Sequence, residues 1–301
     1  MATTQEQEIV FSEADKRSTL GRYVKASKKF LRSKPLGTTG VIIVVLAILV
    51  AVSAPYIAPH DPYDTSVRNV LQSPSSDHWF GTDSLGRDVM SRTMYGSGVS
   101  IFVGIIAMIA ASTVGSVIAV TSAYYGGKYD LILQRVIDSL SAFPSLLLAL
   151  ALMAALGSSL NNVILAITIV FLPRIARVVR SVALSVKEMP YVEASRAIGG
   201  SDNRIMFRHL LPNTFASLVV VATSLVGSAI IIEASLSFLG LSGAGNTITW
   251  GAMLNQQQLF DFAGAPWIGL FPGFALTLVV FGVNIFGDAL RDVLDPKLRG
   301  R

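Results

Sequence analysis

The chain has 301 residues, 52% of them hydrophobic and only 14% charged, with a mean hydropathy of +0.58. A soluble domain carries about 25% charged residues, so the composition excludes an ordinary water-soluble fold and points to lipid as the main solvent. The net charge of +5 is divided among separate segments rather than gathered on one basic face, which argues against nucleic acid as a partner. The absence of cysteine excludes disulfides, thiol catalysis and cysteine zinc sites.

In chain order, residues 1–39 form a polar, mixed-charge tail unlike a secretory leader. Val52-Ser53-Ala54 could pass for a cleavage site, but the topology below requires the helix it would remove. Uncharged stretches follow, bounded by Lys34 and Asp61, Arg92 and Lys128, Asp138 and Arg174, Arg208 and Glu233, and Asp261 and Asp288. Each is long enough for a helix across a bilayer core of about 30 Å, which takes about 20 residues. The third is interrupted by Gly157-Ser158-Ser159-Leu160-Asn161-Asn162, a turn-forming run. Six spans are therefore expected, at about 40–57, 97–124, 141–156, 163–179, 213–240 and 266–290, in an all-α integral membrane protein.

Six spans also divide the basic residues. Of the 24 Lys and Arg, only Arg68, Arg87 and Arg92 fall on the side of the first long loop. All others lie on the side of the two tails, which makes that side cytoplasmic and places both termini there. Reading 141–179 as one helix would put the basic C-terminal tail outside. Arg174, Arg177 and Arg180 share one helical face after the fourth span. They are read as cytoplasmic anchors that reach lipid phosphate or pair with a neighbour.

The outer loop, about 58–96, contains Trp79, Phe80 and several Gly-Asp turns. Asp83, Arg87 and Asp88 are expected to pair as a structural clamp. Its acids are not spaced as an EF-hand, and His60 and His78 are read as plain loop residues, so no metal site is predicted. Within the spans, Glu233 falls near the outer end of the fifth, about 30 Å from its start at 1.5 Å per residue. It is expected to be a solvated or paired carboxylate, with a role in the gate or in contact with a binding protein as the sharper reading. Asn284, near the inner end of the sixth span, is a second candidate for the pathway, and Asp288, Arg291, Asp292 and Asp295 are expected to form local surface pairs.

Residues 182–212 are too charged to span. Pro190 suits the first turn of a helix, and Gly199-Gly200 suits its C-terminal end. Ser201-Asp202 can then cap a second helix running to Leu211-Pro212. A helix–glycine–helix elbow is expected on the membrane surface, able to act as a lever on the fourth and fifth spans.

Here the residues resemble a known family. Glu193-Ala194-Ser195, Gly199 and Leu211-Pro212 are spaced like the EAA signature of ABC importer permeases, with Ser195 and His209 as departures. Gly81-Thr82-Asp83, with Gly86-Arg87-Asp88, is similar to the outer-loop signature of the dipeptide/oligopeptide C-type branch. The segments Glu233–Gly240, Trp250–Asn255 and Gly287–Pro296 look like that branch as well. The resemblance covers about residues 38–300. It implies an ABC type I importer permease fold and a coupling helix at Glu193–Gly199 docked in an ATPase subunit. It also implies a second, homologous permease, one or two ATPase subunits and an extracytoplasmic binding protein, in a bacterial cytoplasmic membrane. ATP and Mg would be bound by the partners, with no cofactor in this chain and no enzymatic activity of its own. A short peptide is the implied cargo; nickel chelates, glutathione, opines and haem remain alternatives.

The chain carries no Walker A motif. Gly126-Gly127-Lys128-Tyr129 lacks both the earlier glycine and the following Ser or Thr. An intramembrane serine protease built on Gly240-Leu241-Ser242-Gly243 would need a histidine base within hydrogen-bond reach. His60, His78 and His209 are the three histidines, and none lies in the last span. An ion-driven carrier would call for a midplane acid and internal repeats, and neither is evident.

Overall fold

The computed structural model describes residues 35–243, 247–255 and 264–294. The N-terminal tail up to 34 and Asp295 of the C-terminal acidic group lie outside these. Among the described residues all regular secondary structure is helical, apart from one isolated bridge between Thr82 and Asp88 in the loop after the first helix. In chain order the helices are α1 (Pro35–Ile57), α2 (Val89–Tyr125), α3 (Gly127–Ser141), α4 (Ser145–Leu156), α5 (Leu160–Lys187), α6 (Pro190–Ala197), α7 (Asp202–Phe238), α8 (Trp250–Met253) and α9 (Trp267–Leu294). Helices α1, α2, α5, α7 and α9 are each long and apolar enough to cross a bilayer.

The remaining crossing, third in chain order, differs from the expected helix at 141–156. α4 has 12 residues, about 18 Å at 1.5 Å per residue, and it meets the amphipathic α3 at 95°. Its role follows from its neighbours. α2 and α5 run parallel: Ala107 O accepts from Thr168 Oγ1 at 3.3 Å, Gly115 packs on Ile175, and Ala123 O accepts from Lys187 Nζ at 3.1 Å. The chain leaves α2 at one end of the bundle and enters α5 at the other, so α4 and its flanking turns make the return. The turn after α4 uses Gly157 at φ +83°, the side chain of Asn162 on the carbonyls of Leu156 and Gly157, and a Ser159 cap on Asn162 N. The helix therefore resumes at Leu160, not Val163. α7 is antiparallel to α2, with Tyr124 beside Asp202 at one end and Gly104 against Ile230 further along. α9 is antiparallel to both α7 and α1, so Pro35 and Leu294 lie at the same end as α6.

Two further boundaries differ from expectation. α2 begins at Val89, before Arg92, because Asp88 caps it by accepting from Ser91 N at 2.7 Å. The Arg92 charge is tolerated in that first turn because its guanidinium donates to Pro62 O at 2.8 Å and lies 3.6 Å from Asp83. α7 begins at Asp202 and not at 213, running without interruption past Pro212. Residues Ile205–Leu210 form a π-helical segment just before it. The wider turn changes the carbonyl register next to a residue that has no N–H to donate, where a regular helix would clash.

The apolar core lies between α2, α5 and α7, with Val103, Ala107, Ala166, Ile167, Ile175 and Leu225 almost fully buried. In lipid, helices associate through close packing of small residues rather than by escape from water. α1 illustrates this, since its buried residues are Gly37, Gly40 and Ala54. A Cβ on Gly40 would stand 2.7 Å from Gly282 O, and one on Gly282 would stand 2.6 Å from Ile43. The outer faces of α1, with Leu46, Leu49 and Val52 exposed, are suited to acyl chains.

Replacing Gly40 by Leu forces α1 away from α9 and is expected to cost about 1–3 kcal/mol, the usual penalty of overpacking. In detergent the variant should melt several degrees below the parent. Gly98→Ala, where the nearest atom is 3.7 Å away, should leave the melting temperature unchanged or slightly raised, since alanine favours a helix interior over glycine.

Candidate functional site

The elbow is built as a short helix held at both ends. α6 starts on Pro190 and ends at Ile198, and Gly199 follows at φ +81°, where a side chain would be strained. Gly200 N donates to Ser195 O at 2.9 Å, closing the turn into α7. Ser201 takes the cap position with an extended backbone but makes no side-chain cap. Asp202 instead accepts from Tyr124 Oη at 2.6 Å, and Arg196 lies over the same ring, 5.7 Å from its centroid. The last turn of α2 is thus bound to both arms of the elbow.

Val192 is fully buried beneath α6, while Glu193, Ala194 and Gly199 are exposed and Ser195 is half-buried. Ile198 is 86% exposed, an apolar side chain offered outward beside an acid. His209, a departure from the family pattern, lies within the π segment. Its Nε2 is 3.4 Å from Ser195 Oγ, and its ring is 6.0 Å from that of Tyr191. Asn213 donates to Tyr191 Oη at 3.1 Å and to His209 O at 2.6 Å. Leu211 is half-buried and Pro212 exposed. Glu193, Ala194, Ser195 and Gly199 therefore lie on one element, with Leu211 and Pro212 on the next, joined through Ser195 and His209.

At the same end Arg180 pairs with Asp130 of α3 at 2.5 Å, and Arg177 donates to Ser141 Oγ at 2.5 Å. Two members of the arginine row thus pair within the chain, Arg180 with the first turn of α3 and Arg177 with its last residue, at the bend into α4.

The opposite end carries a compact cap. Asp83 is buried; its carboxylate accepts from Leu85 N, Arg87 N and Arg87 Nε at 2.9, 3.0 and 2.7 Å. The expected three-way clamp is corrected in one respect. Asp88 does not pair with Arg87; Arg92 takes the third place, and Asp88 caps α2 while binding His78 Nδ1 at 2.9 Å. Thr82 ties the loop to α9, its carbonyl accepting from Trp267 Nε1 at 3.0 Å. Gly81 and Gly86 have φ of +71° and +73°, and a Cβ on Gly81 would stand 2.6 Å from Gln72 O. Trp250, buried in α8, donates to Thr93 O at 3.0 Å.

Glu233 is not a solvated end-of-helix carboxylate. It is completely buried, and Ser237 Oγ donates to its Oε1 at 2.6 Å. Asn284 is exposed on α9, with its amide against Gly227 of α7. The two residues are therefore not brought together. Sequence reasoning missed Tyr124, Asp202 and Arg92 as organising groups. The one visible signal was a charged or hydroxyl-bearing side chain at the end of an otherwise apolar helix.

Five membrane-length helices, with the bent α3–α4 pair able to make a sixth crossing, and a short surface helix between α5 and α7 make up the architecture. A solved chain of the MetNI methionine ABC transporter, in an inward-facing conformation, matches it with a TM-score of 0.53 at 18% identity, covering 69% of this chain and 98% of that one. This places the fold among those of ABC importer permeases. Residues 111–300 match the family described as binding-protein-dependent transport system inner membrane component, and residues 26–74 match the N-terminal transmembrane domain of oligopeptide transport permease C. The chain belongs to that family of inner-membrane transport components. It is 43% identical over 271 residues to the dipeptide transport system permease protein DppC of Alkalihalophilus pseudofirmus, covering 90% of this chain and 89% of the relative. It is also 43% identical over 274 residues to the glutathione transport system permease protein GsiD of Escherichia coli, covering 89% of each.

Tyr124→Phe removes a hydrogen bond to a carboxylate, worth about 1.5–3 kcal/mol. The amides of α6 should then exchange with deuterium about tenfold faster or more, with those in the middle of α2 unchanged.

Proposed function

We propose that this chain is one of two homologous permeases through which an ABC importer carries short peptides into the cytoplasm. The single observation supporting this reading is the elbow: a helix presenting Glu193, Ala194 and Ile198 outward, with its Arg196 over the Tyr124 ring of α2 and its Tyr191 bonded to Asn213 of α7. A subunit that gripped that exposed face would load three crossings at once. In this reading the gripping subunit is an ATPase that binds ATP and Mg, and one or two such subunits serve the assembly. A binding protein delivers cargo at the capped end. Both termini then lie in the cytoplasm, in line with the distribution of Lys and Arg.

The cargo reading rests on two relatives whose names specify a dipeptide and glutathione; both are short, peptide-bonded, zwitterionic solutes. ATP closure of the motors would draw the elbows together and switch the pore from inward- to outward-facing, and hydrolysis would reset it. Glu193 and Gly199 are assigned to the contact with the motor. Glu233 and Asn284 are assigned to the gate region, and Asp83, Arg87 and Asp88 to the rigidity of the cap.

Proteoliposomes holding the complete assembly should take up labelled dipeptide only with ATP inside the motor compartment and binding protein on the opposite face. Glu193→Lys and Gly199→Trp should insert normally yet lose at least about 90% of uptake, a change of about 1.4 kcal/mol or more in coupling. Uptake at the parental rate by either variant would refute the assignment of the elbow, and uptake driven by an ion gradient alone would refute the class.

A further inference from the structure

We infer that His60, His78 and Asp88 form a binding site for one divalent transition cation, of the zinc type, on the capped end of the bundle. The three residues come from separate places: the turn after α1, the middle of the cap and the first residue before α2. Their ligand atoms nevertheless lie within 4.8 Å of one another. His78 Nδ1 is 2.9 Å and His60 Nδ1 is 3.7 Å from the same oxygen, Asp88 Oδ1. The two rings lie against each other with centroids 4.6 Å apart.

The spacing decides between two readings of His60. At 3.7 Å its nitrogen is beyond hydrogen-bond reach of the carboxylate, so no hydrogen bond explains why it faces that oxygen. Two ligands on a common ion with bonds of about 2.0–2.2 Å stand about 3–4 Å apart; the 3.7 Å to His60 lies in that range, whereas the 2.9 Å to His78 is a direct hydrogen bond that the ion would replace. His60 is half-exposed while His78 and Asp88 are buried, so a small turn of the His60 ring closes the set around an ion.

The surroundings are those of a ligand set already oriented. Asp88 Oδ2 is occupied by Ser91 N and Ser91 Oγ, both at 2.7 Å, which leaves Oδ1 as the coordinating atom. The Ser91 hydroxyl also accepts from His60 N at 3.1 Å, holding the backbone of that ligand. The amide of Asn69 lies 3.4 Å from His78 Nε2. The atom that faces the ring is Asn69 Nδ2, so the amide would have to turn over, releasing Gln72 Nε2 from its oxygen, to accept from Nε2–H with Nδ1 on the metal. Two imidazoles and one carboxylate suit zinc, or cobalt as its spectroscopic substitute, rather than calcium or magnesium. His60 also lines an open pocket of about 400 Å³ bounded by the 55–63 segment and Tyr95, from which water could supply a fourth ligand. The ion would clamp the end of α1 to the start of α2, whatever solute the pore carries.

The test uses the full chain, purified in detergent after chelator treatment and titrated with Co²⁺ and then Zn²⁺ alone. One equivalent of Co²⁺ should give the visible absorption of a four-coordinate site, and one equivalent of Zn²⁺ should abolish it. His60→Ala leaves the His78–Asp88 bond intact and should weaken binding at least about tenfold, whereas His209→Ala should not change it. Absence of a stoichiometric site in the parent, or equal affinity in His60→Ala, would overturn the inference and leave a hydrogen-bonded packing cluster only.

Discussion

Helices α2 and α5 lie against each other and point the same way, with Ala107, Gly115 and Ala123 of one meeting Thr168, Ile175 and Lys187 of the other. Two parallel neighbours in a membrane require the chain between them to cross back. Only 34 residues separate Tyr125 from Leu160, and no lipid-exposed loop can span hydrocarbon with its backbone unpaired. That constraint accounts for the unusual middle of the molecule: an amphipathic helix laid aside, a sharp bend, and a short apolar helix with glycine and asparagine turns. It also places the α5 terminus and the α7 start at one end, so the connection between them can only be a surface structure.

That connection is more than a linker because of where its bonds go. Tyr124, Asp202 and Arg196 join the last turn of α2 to both sides of the glycine turn. Tyr191, His209 and Asn213 join α6 to the base of α7. A force on the exposed face of α6 is therefore resisted by side chains on helices that traverse the whole bundle. Lone surface helices lack such a route and would simply tilt.

Much of this was legible in the sequence for reasons that are local. Pro190 and Gly199 mark the ends of α6 because each residue type permits or forbids a particular backbone state. The uncharged stretches mark crossings because charges are costly in hydrocarbon. What was not legible depended on contacts between distant residues. Arg92 appeared to end a span, yet it sits within α2 because Pro62 and Asp83, remote in sequence, receive its guanidinium. Pro212 appeared to begin a helix, yet a π segment carries α7 through it. Whether Glu233 is solvated or paired stays open in the sequence, because depth along a helix does not report which face is turned inward; it is buried and bonded to Ser237. His60 and His78 have no telling spacing from Asp88, since only the fold of the cap assembles them.

The glycine notch that seats α1 has a consequence for how this protein tolerates change. The exposed positions on that helix, Leu46, Leu49 and Val52 among them, face outward to hydrocarbon, which does not discriminate among Leu, Ile, Val and Phe. Substitution among apolar residues on the outward face should be nearly silent, with the packed positions, Gly40 tightest among them, held fixed. Sequence divergence along α1 is thus a poor gauge of functional distance between two such proteins, whereas a change at that one glycine would need a matching change at Gly282.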